Sequence, residues 1–294
     1  MGLDPIMACS DPVPARFSYI PGAEAVVQDT DATFDLGISL DCSDLDRLGR
    51  LASLPAFGNV PLLNIDHHLT NLYFGTVNLV DPNASSSAEV VLRLLDHMDF
   101  PLDAELATCL LTGIVTDTRG FRTNNVTIPV MEATLRLMKA GASLPRITRS
   151  GLDRRPTAAI RLWGAALAGL QVSGGVIWTS ITPDMRRAAG YSGNGDAGLV
   201  SFLISANDAD AAVVFVERED GRIEIGLRAL PGFDVGHVAL VLGGGGHALA
   251  AGCTLPGPMS KAQAQVLVAL QADLARQRRA MQEKREAIHG TGET

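Results

Sequence analysis

The stretch "VPLLNIDHHLTN" (residues 60–71) joins a short apolar run to an Asp and two adjacent His. The run has the length and composition of a buried strand that ends at Asp66. A second run of the same kind, "DLGISLD" (residues 35–41), ends at Asp41. Short, continuously apolar runs are typical of parallel strands that are covered on both faces. The two carboxylates are therefore expected at the ends of neighbouring strands.

Segments with helical spacing follow these two strands. Strands that alternate with helices predict an α/β fold, here with a doubly wound, mostly parallel sheet, and such sheets bind ligands at the carboxyl ends of their strands. The predicted helices are 43–54 with Ser43 as the N-cap, 86–98 with a capping box of Ser86 and Glu89, 103–117 with Asp103 as the N-cap, and 127–141.

The length of 294 residues favours two domains. We expect a first domain over 1–150, a linker helix over 151–173 that begins at Pro156, and a smaller α/β domain over 174–294. The polar segment 143–155 lacks a clear period and is predicted to be irregular. In the second domain, "GGVIWTSIT", "AAVVFVE" and "GRIEIGLRA" are predicted strands, and a long helix closes the chain.

Composition limits the classes of partner and location. The net charge is −8, so the chain is not suited to coating duplex nucleic acid, and a nucleotide substrate is expected to be short and held locally. The four Cys are scattered and no CxxC pair occurs, which favours a reducing compartment. The apolar stretches are too short for a membrane span, and the first residues lack a signal-peptide pattern. A cytoplasmic protein without membrane contacts is expected.

"DHH" alone has two interpretations, a metal site or a capped turn with two surface His. Three other stretches favour the metal site: "SLDCSD" with Asp41, "GIVTDTRGFRTNN" with Asp117, and "LGGGGHALAAG" with His247. Carboxylates together with imidazoles suit Mn²⁺ or a similar divalent ion, whereas thiolates would suit zinc. Two such ions can activate water and stabilise both oxygens of a phosphoester displacement. A run of Gly lets backbone N–H groups approach an anion.

In this order, "DHH", "GIVTDTRGFRTNN" and "GGGGHALAAG" resemble the DHH phosphoesterases, most closely the branch of nanoRNases and 3′-phosphoadenosine-5′-phosphate (pAp) phosphatases. The resemblance implies an N-terminal metal-binding catalytic domain and a C-terminal DHH-associated domain that binds substrate. It also implies a manganese-dependent hydrolase of short oligoribonucleotides or pAp, and is compatible with a homodimer. By matching position, it implies metal ligands at Asp41, His67 and Asp117, catalytic roles for Asp66 and His68, and substrate contacts from Arg228, Gly244, Gly245, Gly246 and His247.

The family's first motif, H-x-x-x-D-x-D-x-x-G-S, is not found in the sequence. "DTD" at 29–31 falls on the wrong side in family order and has no upstream His. We therefore expect that a strand and a helix, roughly 30 residues, are missing from the front of the domain and that activity of the chain as written is in doubt. An upstream start is the favoured explanation; a second chain that supplies the ligands and a non-catalytic nucleotide-binding protein are alternatives. Another activity of the family, such as cyclic dinucleotide phosphodiesterase, also stays open.

Overall fold

The computed structural model describes residues 4–54 and 60–290, without the side chains of 284, 285 and 287–290. The chain divides into two compact units, Met1–Arg154 and Arg155–Thr294. Each unit has its own hydrophobic core. The functional division at 150 and 173 stays a proposal.

The first unit contains a parallel sheet of three strands, β1 (Gly37–Leu40), β2 (Leu62–Asp66) and β3 (Val77–Val80), in that spatial order. Leu40 pairs with Ile65 and Asp66 pairs with Val80, so the carboxyl ends of the strands lie at one edge. Within the described residues β1 pairs only with β2, and Ile38 is 55% exposed and Leu40 54% exposed. Strands β1 and β2 were predicted and β3 was not. The expectation that β1 is buried was wrong, because alternate residues of this strand are exposed.

The helices of the first unit follow the predicted pattern for most of its length. The Ser86 hydroxyl accepts from the backbone N–H of Glu89 at 3.2 Å, and the Asp103 carboxylate accepts from that of Leu106 at 2.8 Å, so both predicted N-caps are confirmed. The helices are α1 (Ser87–His97), α2 (Ala104–Asp117), α3 (Ile128–Lys139) and α4 (Leu144–Thr148), with 3₁₀ helices at Ala15–Phe17, Ala23–Ala25 and Leu45–Ser53.

Two predictions for this unit were wrong. The segment 43–54 forms a 3₁₀ helix that is kinked at Gly49, and its cap is Asp44, because the Asp44 carboxylate and not the Ser43 hydroxyl accepts from the backbone N–H of Arg47. The segment 143–155 is not irregular: α4 continues into a π-helical turn at Arg149–Asp153. One apolar residue of this mostly polar segment, Ile147, is completely buried in the core.

Close packing joins α1 to α2. A Cβ atom placed on Gly113 of α2 would lie 2.5 Å from the Cβ atom of Ala88 in α1, well inside van der Waals contact. The two helices therefore approach closely at this point, and no side chain larger than hydrogen fits there. The contact fixes the first turn of α1 relative to the end of α2, which is the region that carries the candidate site.

The second unit contains a mixed sheet of six strands in the order β4-β5-β6-β7-β9-β8. β5 and β6 are parallel and the other pairs are antiparallel, including the predicted β6–β7 hairpin. The strands are β4 (Gln171–Ser173), β5 (Val176–Ile181), β6 (Ala211–Glu217), β7 (Arg222–Ala229), β8 (Gly245–His247) and β9 (Ala250–Pro256). The helices are α5 (Thr157–Leu167), α6 (Pro183–Ala189), α7 (Leu199–Leu203), α8 (Gly236–Val241) and α9 (Met259–Gly290).

Both faces of this sheet are buried. Val213 and Phe215 of β6 pack with residues of α9 such as Leu270, while Ala212 and Val214 on the opposite face pack with α5 and α7. Helices on both faces and a parallel sheet in the first unit confirm the predicted α/β class. None of the described helices combines the length and the apolar composition that crossing a membrane requires.

Candidate metal centre

Asp41 and Asp66 lie side by side at the carboxyl edge of the parallel sheet. The backbone N–H of Asp41 donates to the carbonyl oxygen of Ile65 at 3.0 Å, which extends the β1–β2 ladder by one residue. Asp41 has a φ of 62°, in the left-handed region that non-glycine residues rarely adopt. Its carboxylate is 52% exposed, whereas that of Asp66 is completely buried.

His67 follows directly and turns its ring toward two carboxylates. Its Nδ1 donates to the carbonyl oxygen of Ala84 at 3.3 Å. Its Nε2 lies 3.1 Å from Oδ2 of Asp117 and 3.6 Å from Oδ1 of Asp41. A backbone carbonyl on one ring nitrogen fixes the orientation of the other, as is usual for imidazoles that bind metal.

The charge state of His67 follows from these neighbours. Burial opposes protonation of the ring, but the hydrogen bond and negative charge of Asp117, aided by Ala84 and Asp41, outweigh it and raise the pKa of His67 to about 9. Without a metal, the ring is therefore a cation at neutral pH that compensates the carboxylates around it. A divalent ion would take over that role and release the proton.

His68 is held by the buried carboxylate. Its Nδ1 lies 2.7 Å from Oδ1 of Asp66, and the side-chain amide of Asn71 donates to the other oxygen of Asp66 at 2.6 Å. Burial acts to raise the pKa of Asp66, but the hydrogen bonds from His68 and Asn71 outweigh it and lower the pKa below its usual range. Asp66 is therefore ionised and orients His68 through Nδ1.

Asp117 enters the site as the last residue of α2. The helix stops directly after it, because Arg119, Gly120 and Phe121 all have positive φ angles of 52°, 74° and 64°. The Thr118 hydroxyl accepts from the backbone N–H of Phe121 at 3.0 Å and stabilises this turn. The strained turn ends α2 at the point where the carboxylate of Asp117 meets His67.

The donor atoms fit a divalent ion. Adjacent ligands at right angles around such an ion are about 3.0 Å apart when each metal–ligand distance is about 2.1 Å. The separations of 3.1 Å and 3.6 Å from Nε2 of His67 to Asp117 and Asp41 need little contraction to reach this value. Asp41, His67 and His68 also each offer a ligand atom within 4.8 Å of the others. The donor set of the described residues thus suits one ion bound by oxygen and nitrogen.

Cys42, next to Asp41, is not part of this donor set. Its thiol lies 3.5 Å from the carbonyl oxygen of Leu40, the last residue of β1. Burial, with smaller contributions from Asp41 and Asp66, raises the pKa of the Cys42 thiol. A raised pKa disfavours the thiolate that a zinc ligand requires, so the donor set is of the carboxylate–imidazole type.

Two residues of the centre were missed from the sequence. The Asn71 amide bridges Asp66 and the carbonyl oxygen of Cys42, and its oxygen accepts from the backbone N–H of Tyr73. The Ser87 hydroxyl donates to Oδ1 of Asp41 at 2.7 Å. Asn71 stands in a loop with ordinary turn composition, and Ser87 lies in a serine run that the capping box already explained.

The predicted substrate residues occupy one end of the sheet in the second unit. Arg228 of β7 and His247 of β8 both pair with Ala250 of β9, so the three form one row across the sheet. Arg228 and His247 are two strands apart, about 10 Å. Their side chains share one face of the sheet, because residues in register point to the same side.

The predicted glycines differ in what surrounds them. A Cβ atom on Gly244 would lie 2.1 Å from the Gly252 oxygen, and one on Gly246 would lie 2.5 Å from the Ala251 Cα atom. The close approach of the chain to β9 therefore accounts for both residues. A Cβ atom on Gly245 would meet nothing within 4 Å, so Gly245 has open space beside it, as Gly243 does at the start of the run.

A cavity of about 460 Å³ lies elsewhere in the second unit, lined by Arg186, Tyr191 and Arg218 among others. Arg218 is opposite Arg222 at the start of β7, about 20 Å along the strand from Arg228. Arg218 also pairs with Glu224. The distance and the compensated charge set this cavity apart from the row of Arg228 and His247.

Comparison with known proteins identifies two domain families along the chain. Residues 8–114 match the model of the DHH family N-terminal domain, and residues 186–275 match that of the DHHA1 domain. The first match contains Asp41 and the DHH motif, and the second contains Arg228 and the glycine motif.

Individual relatives are similar over most of the chain. The bifunctional oligoribonuclease and PAP phosphatase NrnA of Thermus thermophilus is 33% identical over 90% of this chain and 79% of that protein. A probable protein of the same name from Streptococcus mutans is 24% identical over 72% of both. The crystal structure of an exopolyphosphatase-related protein from Bacteroides fragilis shares the fold, with a TM-score of 0.85 and 24% identity over 92% of this chain and 84% of that one. The motifs, the two matched domains and the similarity to the Thermus protein place this chain in the DHH family of phosphoesterases.

Proposed function

We propose that this protein hydrolyses the phosphoester bonds of short oligoribonucleotides and of pAp in a reaction that depends on a divalent metal, with Mn²⁺ as the preferred ion. The observation that carries the proposal is the convergence of Asp41, His67 and Asp117 at the carboxyl edge of the parallel sheet. The names of the relatives from Thermus and Streptococcus support the choice of substrates. The oxygen and nitrogen donors support Mn²⁺.

Three residues of the centre are assigned to the metal ion. Asp41, His67 and Asp117 would hold the ion, and a divalent ion supplies Lewis-acid stabilisation to a phosphoester oxygen. His67 is kept in orientation by the carbonyl oxygen of Ala84. Two-ion chemistry would need ligands beyond the set that the described residues bring together, so we expect one tightly bound ion per chain.

His68 is the residue of this centre that we assign to the substrate. Asp66 holds the ring through Nδ1 at 2.7 Å, so Nε2 is the nitrogen that we assign to a phosphate oxygen. The buried Asp66 fixes the orientation of the ring, so that Nε2 can face the phosphate or the leaving oxygen. Asp66 acts through His68 and does not itself meet the substrate.

In the second unit, we assign Arg228 and His247 to binding of the nucleotide. Arg supplies a forked donor for phosphate, and His247 lies on the same row of the sheet. Gly244 and Gly246 keep the backbone close to β9, and Gly245 offers open backbone to the substrate. The acidic chain supports a short substrate that is held locally and not a duplex. A cytoplasmic location and a homodimer stay predictions.

The test is an assay of the full chain with Mn²⁺ on pAp and on an RNA dinucleotide, with release of phosphate and of mononucleotide as readouts. We expect His67→Gln and Asp117→Asn to reduce both activities to background. His237→Gln is the matched control, because it removes an exposed imidazole of the second unit and leaves the centre intact.

Three results would redirect the proposal. Binding of pAp without release of phosphate would identify a non-catalytic nucleotide-binding protein. A strong preference for a cyclic dinucleotide would indicate another activity of the family. Equal activity in the presence of a chelator would contradict metal dependence altogether.

A further inference from the structure

Asp41 combines an unusual backbone with an exposed side chain. Its φ of 62° lies in the left-handed region, which is unfavourable for a residue with a Cβ atom. Its side chain is about half exposed, so water competes with the protein for the carboxylate. The pairing of its N–H with Ile65 fixes the backbone but does not fix the side-chain rotamer. A second contact is needed to keep the carboxylate directed at His67.

Ser87 provides that contact. It is the first residue of α1 and is 7% exposed, so its hydroxyl lies out of bulk water. The hydroxyl has one proton and two carboxylate oxygens in reach, Oδ1 of Asp41 at 2.7 Å and Oδ1 of Asp66 at 3.5 Å. The shorter distance identifies Asp41 as the acceptor. A hydrogen bond to a carboxylate is stronger than one between neutral groups and holds its geometry.

The oxygen that Ser87 contacts is also the one nearest to the imidazoles. Oδ1 of Asp41 lies 3.6 Å from Nε2 of His67 and 3.9 Å from Nδ1 of His68. A carboxylate oxygen has more than one lone pair, so it can accept from Ser87 and still face an ion. Without the hydroxyl, Asp41 would be free to turn into water, away from the other carboxylates.

We propose that Ser87 is a positioning residue that holds Asp41 ready for the metal. The proposal rests on the metal site of the proposed function but not on its substrate or reaction. The position of Ser87 is itself well determined, since Ser86 caps α1 and Gly113 packs against Ala88 one residue further on. Removal of the Ser87 hydroxyl is therefore expected to loosen Asp41 and to leave α1 in place.

The experiment measures Mn²⁺ affinity by isothermal titration calorimetry on the full chain, without substrate. Ser87→Ala is expected to weaken binding about 10- to 100-fold, as loss of a hydrogen bond to a metal ligand commonly does. Ser87→Thr keeps the hydroxyl and is expected to restore affinity to within a few-fold. Ser85→Ala is the matched control, because Ser85 is also buried and its hydroxyl has no hydrogen-bond partner in the described structure.

The outcomes separate this proposal from the proposed function. Ser87→Ala that binds Mn²⁺ within twofold of the wild type would overturn it, as would an equal loss in Ser85→Ala. If the extra methyl of Ser87→Thr prevents folding, judged by circular dichroism, Ser87→Cys replaces it and should give an intermediate affinity. A chain that binds Mn²⁺, shows the Ser87 effect and cleaves neither RNA nor pAp would support this inference while contradicting the proposed function.

Discussion

The ring of His67 has a carboxylate on one side and a backbone carbonyl on the other, and these contacts couple its charge to the stability of the protein. In the metal-free protein its pKa of about 9 lies above the value of about 6.5 expected for an unfolded chain. A raised pKa means that the folded state binds the proton more tightly than the unfolded state does. The resulting stabilisation is complete below pH 6.5 and is lost as the pH rises toward 9.

We therefore predict that the free energy of unfolding, measured by urea denaturation in a chelator, falls between pH 6.5 and pH 9. The loss should be on the order of 2–3 kcal/mol for this one group. His67→Gln removes the titrating ring and should flatten the dependence, and Asp117→Asn should reduce it. An equally steep dependence in His67→Gln would show that another group is responsible.

The proton on His67 should also make the affinity for metal depend on pH. Because a metal binds the neutral imidazole, Mn²⁺ must displace the proton from His67 at any pH below about 9. The affinity for Mn²⁺ should rise about tenfold per pH unit between pH 6.5 and pH 8.5 from this group alone. Calorimetry in buffers of different ionisation enthalpy should detect release of about one proton, and no proton release would contradict the assignment.

At the scale of helices and strands, Gly113 determines how closely α1 and α2 approach. Gly113→Ala would gain about 1 kcal/mol of helix propensity, but the new methyl would meet the Ala88 methyl at 2.5 Å. Overpacking of this kind typically costs 1–3 kcal/mol, so we predict net destabilisation in urea denaturation.

The matched variant moves the methyl from one helix to the other. Gly113→Ala combined with Ala88→Gly removes the clash and should recover most of the stability that Gly113→Ala loses. Gly113→Ala alone should also weaken Mn²⁺ binding, since α1 carries Ser87 and α2 carries Asp117. The double variant should restore this affinity. A double variant no more stable than Gly113→Ala would show that the Gly113–Ala88 contact does not govern the helix pair.

The elements that the sequence predicts well are those with a local signal. Ser86 and Asp103 begin helices whose apolar periods are regular, and both caps are found. Segment 43–54 has helical spacing too, but Gly49 allows a kink and the short stretch closes as a 3₁₀ helix. Ser87 could not be predicted in this way, because its partner Asp41 is 46 residues away. Asn71 contacts Asp66 from nearby, but its second partner, Cys42, is 29 residues away and its loop has ordinary turn composition.

At the scale of the whole molecule, the sequence predicts the α/β class and the family, and both are confirmed. Asp41 and Asp66 meet because parallel strands end at one edge, a rule that needs no structure. The contact of Asp117 with His67 was implied only by the family resemblance, since the turn at Arg119–Phe121 has no simple sequence signal. The roles of Arg228 and His247 stay predictions.

The junction of the two units offers a test of their independence. Arg154, Arg155 and Pro156 are all exposed, and the units meet between Arg154 and Arg155. Trypsin does not cut before proline, so we predict early cleavage after Arg154 and fragments close to 1–154 and 155–294, identified by mass spectrometry. Arg154→Gln should slow this cut. Earlier cleavage within either core would contradict the boundary.

The exposed strand β1 has a consequence for handling the protein. Ile38 and Leu40 place more than half of their surface in solvent, on a strand whose outer edge pairs with no other described strand. Unpaired edges with apolar side chains are natural points of aggregation, and proteins commonly protect them with a lysine. We predict that Ile38→Lys lowers light scattering of concentrated solutions, whereas Ile128→Lys, on the exposed surface of α3, does so to a lesser degree. We therefore expect the solubility of the concentrated protein to depend on this one strand.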